Sequence, residues 1–248
     1  MEDNKLTVRA AERALDILCC FIDESELSLT AIARKTGLNK STVYRLLTTL
    51  EKKGFLIRNQ ENERYRLGFR LWELSSNLTQ AHDPAVLFLP EMERLRDTLD
   101  ETVSLYVRDG IERIRVQAVE SKQTIRRVAP VGERMPLSVG ASSKVLLTYA
   151  DKPTQDMILQ RIEWANEGEK ELFLLQLKDI RKTGYATSVA EREAGASAIA
   201  VPICNRSGHI IAALAVSGPV SRLTVDRMKE ISTEVTEAAK RMEKMAVR

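Results

Sequence analysis

Histidine and cysteine are scarce in this sequence, with two and three copies, and aromatic residues make up only 5% of it. His82 and His209 stand alone, Cys19 and Cys20 are adjacent within an apolar run, and Cys204 lies in a strand-like run. No spacing among them offers a zinc ligand set or a disulfide framework, so the cysteines read as small core residues of a reducing compartment. Without a metal ligand set, or a histidine or acid placed to activate a hydroxyl, neither metal-assisted hydrolysis nor acyl transfer has a basis here. The expectation is no cofactor and no enzymatic activity. No apolar run approaches the roughly 18 residues that a membrane span needs, and the start, MEDNKLTVRAAER, carries no apolar signal segment. A cytoplasmic protein with no membrane partner is therefore expected.

A large charge of either sign is missing as well: the formal net charge is only +3, which excludes a wholesale polycation. Position matters more than the total. From Ser28 to Arg70 ten Lys and Arg face three acids, a local surplus of seven, which leaves the remainder net acidic. With 248 residues and 44% hydrophobic content, the chain has material for two domains with real cores.

The basic region carries a helical pattern. Ala10 to Ile22 places Ala14, Leu15, Leu18, Cys19 and Ile22 at helical spacing, a supporting amphipathic helix. Leu29 to Lys35 predicts a short second helix stopped by Gly37, with Leu38 plugging the turn and Asn39 as N-cap of a third helix. In that third helix Val43, Leu46, Leu47 and Leu50 form one core stripe. At 100° per residue, Ser41, Arg45, Thr48 and Lys52 project away from it, with Tyr44 and Thr49 on its flanks. No acid occurs between Lys40 and Leu50, unlike the alternating Glu and Lys of a helix built for solubility. Such a helix suits the DNA major groove, with its N-terminal half at the base edges and Arg45 placed to read a guanine. A helical hairpin of some larger α-domain would show the same periodicity. The next residues argue against that: Phe55–Arg58 and Arg64–Leu67 flank the polar turn NQENE and predict a β-hairpin, the wing of a winged helix-turn-helix. Its Arg58, Arg64 and Arg66 would stand beside phosphates or the minor groove, or else on a solvated strand face next to Glu61 and Glu63.

The segments Arg13–Leu18, Leu29–Ala33, Ser41–Leu47 and Tyr65–Gly68, in this order, resemble the DNA-binding domain of IclR-type transcriptional regulators. The resemblance implies DNA contacts from Lys40, Ser41, Thr42, Tyr44, Arg45, Thr48 and Arg64. It also implies that Gly68–Ala81, with Leu71, Trp72, Leu74 and Leu78 at helical spacing, is a linker helix that supports dimerisation.

Beyond Asp83 the pattern predicts a helix through Leu99 and strands at Glu101–Arg108 and Arg113–Glu120. An extended piece at Ile125–Pro130 precedes three helices, Ala141–Tyr149, Thr154–Ile162 and Glu169–Lys182. Strands Ser197–Cys204 and Ile210–Ser217 and a long helix from Thr224 complete it. Strands, then helices, then strands closed by a helix predict a mostly antiparallel sheet with helices packed on it, so the expected fold class is α/β in the α+β sense. This portion also resembles the family, through Met135–Leu137, Gly184–Ala186, Glu191, Gly195, Ala200–Ile203 and Ala213–Pro219. Two departures are Ser138, where the family usually has histidine, and Ser143-Lys144-Val145, where it usually has Gly-Lys-Ala. The implied organisation is residues 1–67 for DNA binding, 68–81 as linker and 82–248 as a GAF-like effector-binding and oligomerisation domain.

The resemblance further implies an effector pocket at Ala141 and Ser142 of a helix start, Ser188 of a loop, Ala198 of the fourth strand, and Ala215 and Ser217 of the last. The chemistry agrees in kind, since a helix N-terminus and nearby hydroxyls suit a small carboxylate. Ala198 and Ala215 would equally serve plain strand packing. Arg126 and Arg127 are adjacent on an extended segment, so alternation turns one of them inward, where it would want an anion. Ser142-Ser143-Lys144 invites a serine–lysine reading, but successive helical residues diverge by about 100°.

The expected function is a DNA-binding transcriptional regulator of catabolic genes, a repressor in the first instance. It would bind a double-stranded operator as a homodimer or tetramer under control of a small organic acid, such as a sugar acid or an aromatic acid. The alternative is a metabolite-binding module whose winged helix serves protein contacts.

Overall fold

A computed structural model describes residues 7–76, 83–128 and 130–246. The chain divides into two compact units, residues 1–80 and 81–248. The expected linker helix beyond Ser76, and His82 with it, lies outside the described residues. Among the described residues no helix is long and apolar enough to cross a membrane.

The first unit holds α1 (Arg9–Cys19), α2 (Leu29–Thr36), α3 (Lys40–Lys52), β1 (Leu56–Arg58), β2 (Tyr65–Leu67) and α4 (Phe69–Ser76). Ser28 caps α2 by accepting from the Ala31 amide at 3.2 Å, and Gly37 ends it in the left-handed region at φ +67°. Asn39 then caps α3, its Oδ1 accepting from the Thr42 amide at 2.8 Å. These caps fix the turn between the two helices to a few residues. β1 and β2 pair antiparallel, with Leu56 opposite Leu67 and Arg58 opposite Tyr65. Ile17, Ile32, Val43, Leu47 and Leu56 lie at the centre of the core.

The first helix differs from its expected orientation. Ile17 and Phe21 are buried, whereas Leu15 and Ile22 are 61% and 75% exposed and Cys19 also faces outward. Leu15, Cys19 and Ile22 follow i, i+4, i+7 as faithfully as a core stripe does. The helix also ends at Cys19, short of the expected Ile22, so periodicity carried past its end cannot choose between the two apolar sets, and the core takes Ile17 of the helix and Phe21 of the turn after it, together with Leu27 and the α3 stripe. The cysteines are accordingly not deep core residues: Cys20 and Cys204 are only half-buried.

The second unit begins with α5 (Pro84–Leu87) and α6 (Leu89–Leu99). The sequence pattern predicts one continuous helix here; it breaks at Phe88 because Pro90 has no amide to donate. Next come β3 (Thr102–Asp109), β4 (Glu112–Val119), β5 (Arg134–Pro136), α7 (Ala141–Thr148), α8 (Lys152–Arg161), α9 (Glu167–Thr183), β6 (Ala186–Val189), β7 (Ala196–Cys204), β8 (Ile210–Pro219) and α10 (Val225–Met245). Six strands form one sheet in the order β5-β4-β3-β8-β7-β6, every pairing antiparallel. The mixed, mainly antiparallel architecture expected from the order of elements is the one observed.

Each sheet face carries its own core. Val103, Leu105, Ile199, Val201, Leu214 and Val216 pack with α6 and α10, while Tyr106, Ala186, Ala200, Ala213 and Ala215 meet α7 and α9. Small residues dominate the second face, so the helices over it leave room for a cavity. The described residues of the expected extended piece, 125–128 and 130, are not in a strand; the third paired segment is β5, which zips Met135 opposite Arg113. β6 places Ser188 in a strand rather than a loop, directly opposite Ala198. A three- or four-residue strand of polar and small residues has no alternation to betray it.

A close approach within the first unit generates a prediction. Gly68 donates to the Phe55 carbonyl at 2.7 Å, and a Cβ added there would stand 2.2 Å from the Gly54 carbonyl oxygen. Backbone crowding cannot be relieved by a rotamer change, so Gly68→Ala is expected to destabilise the unit by about 1–3 kcal/mol, read as a lower urea midpoint. An unchanged midpoint would show that the wing and α4 need no such approach.

Candidate functional sites

The outward face of α3 is held in place by its buried stripe. Val43 and Leu47 are inaccessible and Leu50 nearly so, which turns Lys40, Ser41, Tyr44 and Arg45 to solvent and leaves Thr42 and Thr48 partly covered. Tyr44 is 52% exposed, unusual for an aromatic side chain without a function on the surface. The hydroxyls are not equivalent. Thr48 Oγ1 donates to the Tyr44 carbonyl and Thr49 Oγ1 to the Arg45 carbonyl, both at 2.9 Å, while Ser41 Oγ donates to Asn39 Oδ1, also at 2.9 Å. Thr48 and Ser41 therefore keep acceptor capacity, and Tyr44 and Arg45 supply the donors.

The cations separate into two groups. Lys35 is paired with Glu24 at 2.7 Å and Arg58 with Glu63 at 2.6 Å, with the Arg58 guanidinium 5.9 Å over the Tyr65 ring. Arg58 is thus anchored to the wing itself. Lys40, Arg45, Lys52, Arg64 and Arg66 have no carboxylate partner among the described residues. The first turn of α3 contains no acid. Its free amides and these unpaired cations make one positive surface, the arrangement that phosphates favour.

The second unit holds a partly open cavity of about 60 Å³ between the small-residue face of its sheet and the start of α7. Ala141, Ser142, Ser188, Ala198, Ala215 and Ser217 all border it. The register explains the convergence: Ser188, Ala198 and Ser217 are direct cross-strand neighbours, and Ala215 lies in the next row beside Ala200. α7 starts at Gly140, φ +94°, with no side-chain cap. Glu191 takes the Gly140 amide at 3.1 Å and forms an ion pair with Lys144, whose Nζ also donates to the Thr187 carbonyl at 3.2 Å. Lys144 is thereby committed to Glu191, and Ser143 Oγ donates to the Pro136 and Val139 carbonyls at 3.0 and 2.7 Å. No serine–lysine pair forms.

Two further arginines border this cavity, Arg113 and Arg115 of β4, and the sequence pattern does not single them out. A strand reading Arg-Ile-Arg-Val looks like one wet and one dry face. The segment 130–140 covers the supposedly wet face, which no local pattern announces. Arg115 bonds the Tyr106 hydroxyl through Nε and Nη2 at 3.0 and 2.8 Å and pairs with Glu133. The register between β3 and β4 shifts at Leu105/Tyr106, which lets β4 present both arginines to the cavity while Gln117 turns to the other face and bonds the Ala85 carbonyl at 3.1 Å. Of the adjacent pair Arg126 and Arg127, Arg127 borders the cavity and pairs with Glu193, whose carboxyl it holds below the usual range; Arg126 turns out to Glu120 at 2.9 Å. One does face inward, although the segment is not a strand.

Comparison with known proteins places this architecture. The IclR helix-turn-helix domain matches residues 10–60, and the bacterial transcriptional regulator IclR C-terminal domain matches residues 77–244. The chain is 30% identical over 241 residues to the HTH-type transcriptional regulator KdgR of Escherichia coli (strain K12), covering 95% of this chain and 92% of that protein. It is 30% identical over 241 residues to the acetate operon repressor of Salmonella typhimurium, covering 94% and 88%. An IclR homolog from Microbacterium hydrocarbonoxydans, solved in complex with 4-hydroxybenzoate, superposes with a TM-score of 0.83 at 27% identity, covering 96% and 98%. The two domain matches and the relatives together cover nearly the whole length: the chain belongs to the IclR family of DNA-binding transcriptional regulators.

Proposed function

We propose that the protein is a repressor of catabolic genes, working in the cytoplasm, whose operator affinity changes when a small organic acid occupies the cavity of its second unit. Residues 1–67 bind DNA, 68–81 connect, and 82–248 bind effector and oligomerise. The observation that carries the reading is the outward face of α3, where Arg45 and Lys40 have no carboxylate partner among the described residues and stand beside exposed Tyr44 and Ser41. Lys40, Ser41, Thr42, Tyr44 and Thr48 contact DNA around Arg45, and Arg64 reaches the backbone from the wing.

One helix reads too few base pairs for useful affinity, so the operator is a palindromic duplex bound by a homodimer or tetramer. Exposed Leu15 on α1 and Ile22 just beyond its end, and Phe69 and Trp72 on α4, 71% and 74% exposed, supply apolar surface for association. The effector is a sugar acid or an aromatic acid, in keeping with the bound 4-hydroxybenzoate of the Microbacterium homolog. It touches Ala141, Ser142, Ser188, Ala198, Ala215 and Ser217. Control requires two arrangements of the dimer that bind the acid unequally, with the connecting helix as the lever.

Three outcomes are expected. Arg45→Ala should cost about 1–3 kcal/mol of discrimination at one base pair per half-site while leaving weak, salt-sensitive DNA binding, measured by competition against mutated duplexes. An unchanged sequence preference would remove Arg45 from base reading. Ser217→Leu should fill the cavity and block the ligand response without altering operator affinity, so a normal response would remove Ser217 from the pocket. For the wild type, log K should fall steeply with log salt, by about 0.9 per phosphate neutralised, whereas a winged helix used for protein contacts would give no such slope.

A further inference from the structure

Arg113 differs from every other cation around the cavity. It is 3% exposed, yet among the described residues no carboxylate pairs with it directly, while Arg115, Arg127 and Arg192 each reach Glu133 or Glu193. A buried guanidinium without a direct carboxylate partner is costly, and such groups persist where something else answers the charge. Burial lowers its pKa to about 10, with Tyr106 and, more weakly, Glu133 acting against the shift and the neighbouring Arg192 and Arg115 adding to it.

Its hydrogen bonds are lopsided. Nη1 donates to the carbonyls of Pro136 and Val139, the latter at 2.9 Å, and these fix the plane of the group. Nε is sealed from solvent with no acceptor. Nη2, which has no acceptor among the described residues, lies 3.3 Å from the place a Cβ on Gly140 would take. The Nε–Nη2 edge is the fork that matches a carboxylate in two parallel bonds. Tyr106 completes the setting, its ring 5.6 Å beneath the Arg113 guanidinium, and Ser104, two residues away on the same face, has a buried hydroxyl that also lacks a partner.

We propose that Arg113 is the carboxylate receptor of the cavity, gripping the acid through Nη2, and through Nε once the acid displaces the groups that seal it, while Nη1 stays tied to Pro136 and Val139. The ligand class is then a carboxylic acid in its anionic form, with its carboxylate at the β4 side of the cavity and the remainder toward Ser217 and Ser188. This rests on the acid-binding reading above and adds the residue that decides for charge. Serines and alanines shape the space; Arg113 selects the anion.

The test uses the full chain and isothermal titration with acetate, pyruvate, D-galacturonate and 4-hydroxybenzoate, each against a neutral counterpart: acetamide, pyruvamide, D-galactose and 4-hydroxybenzamide. At least one acid should bind the wild type and its neutral counterpart should not. Arg113→Met should weaken that acid by on the order of 100-fold, and Arg113→Lys, which keeps the charge but not the fork, by less. The Met variant should keep its ligand-free melting temperature, because Ser143 Oγ still reaches both carbonyls and an uncompensated buried charge has gone. Equal binding of the acid by wild type and Arg113→Met would overturn the role of Arg113 and leave the acid-binding reading standing. Equal binding of acid and neutral counterpart, or a large loss of ligand-free stability in Arg113→Met, would also overturn it. No binding of any of the four acids would remove the acid-binding reading itself, and this assignment with it.

Discussion

The rotation of α3 about its own axis is the constraint on which the rest of the first unit depends. Val43 and Leu47, four residues apart and fully buried, admit one orientation of the helix against α1, α2 and the wing. Once that is fixed, Arg45 has nowhere to point but outward. The surrounding features act to hold this choice: Asn39 and Ser28 cap the two helices, Gly37 reverses the chain, and Gly68 lets the wing return against Phe55. The polar face is thus a consequence of core packing. Its charge is a separate matter, set by which cations lack acids, and there the wing divides its labour: Arg58 holds the hairpin together with Glu63 and Tyr65, while Arg64 and Arg66 stay available.

The second unit solves a different problem. One sheet face packs large aliphatic residues against α6 and α10; the other trades them for alanine and serine, so that Ala198, Ala200, Ala213 and Ala215 leave space that α7 and α9 do not fill. The space is bordered by charges arranged in pairs. Glu133 serves Arg115, Glu193 serves Arg127, and Glu191 ties Lys144 to the start of α7. Pairing on this scale lets a cluster of cations be buried without forcing each to wait for a ligand.

How much the sequence discloses depends on how local each signal is. The caps, the Val43–Leu50 stripe and the Phe55–Leu67 hairpin are written within a few residues of one another, and each is legible. The antiparallel sheet is legible from the order of its elements. α1 is not fully so, because Leu15 and Ile22 compete with Ile17 and Phe21 for the same description. β5 and β6 are too short to alternate. Ser188 is therefore a strand residue that reads as a loop, and the pairing of Met135 with Arg113 becomes visible only once the chain has closed over β4. Arg113 and Arg115 are the instructive case: alternation puts them on one face together, but which face is wet is decided by residues 130–140, some twenty positions away.

The central claim is that α3 presents a surface shaped for base pairs. Selection of duplexes bound by the full chain from a randomised library, at physiological salt and sequenced over successive rounds, tests it most directly. The bound pool should converge on an inverted repeat with half-sites about one helical turn apart, or a multiple of it. A bound pool no different in sequence from the starting library would contradict it.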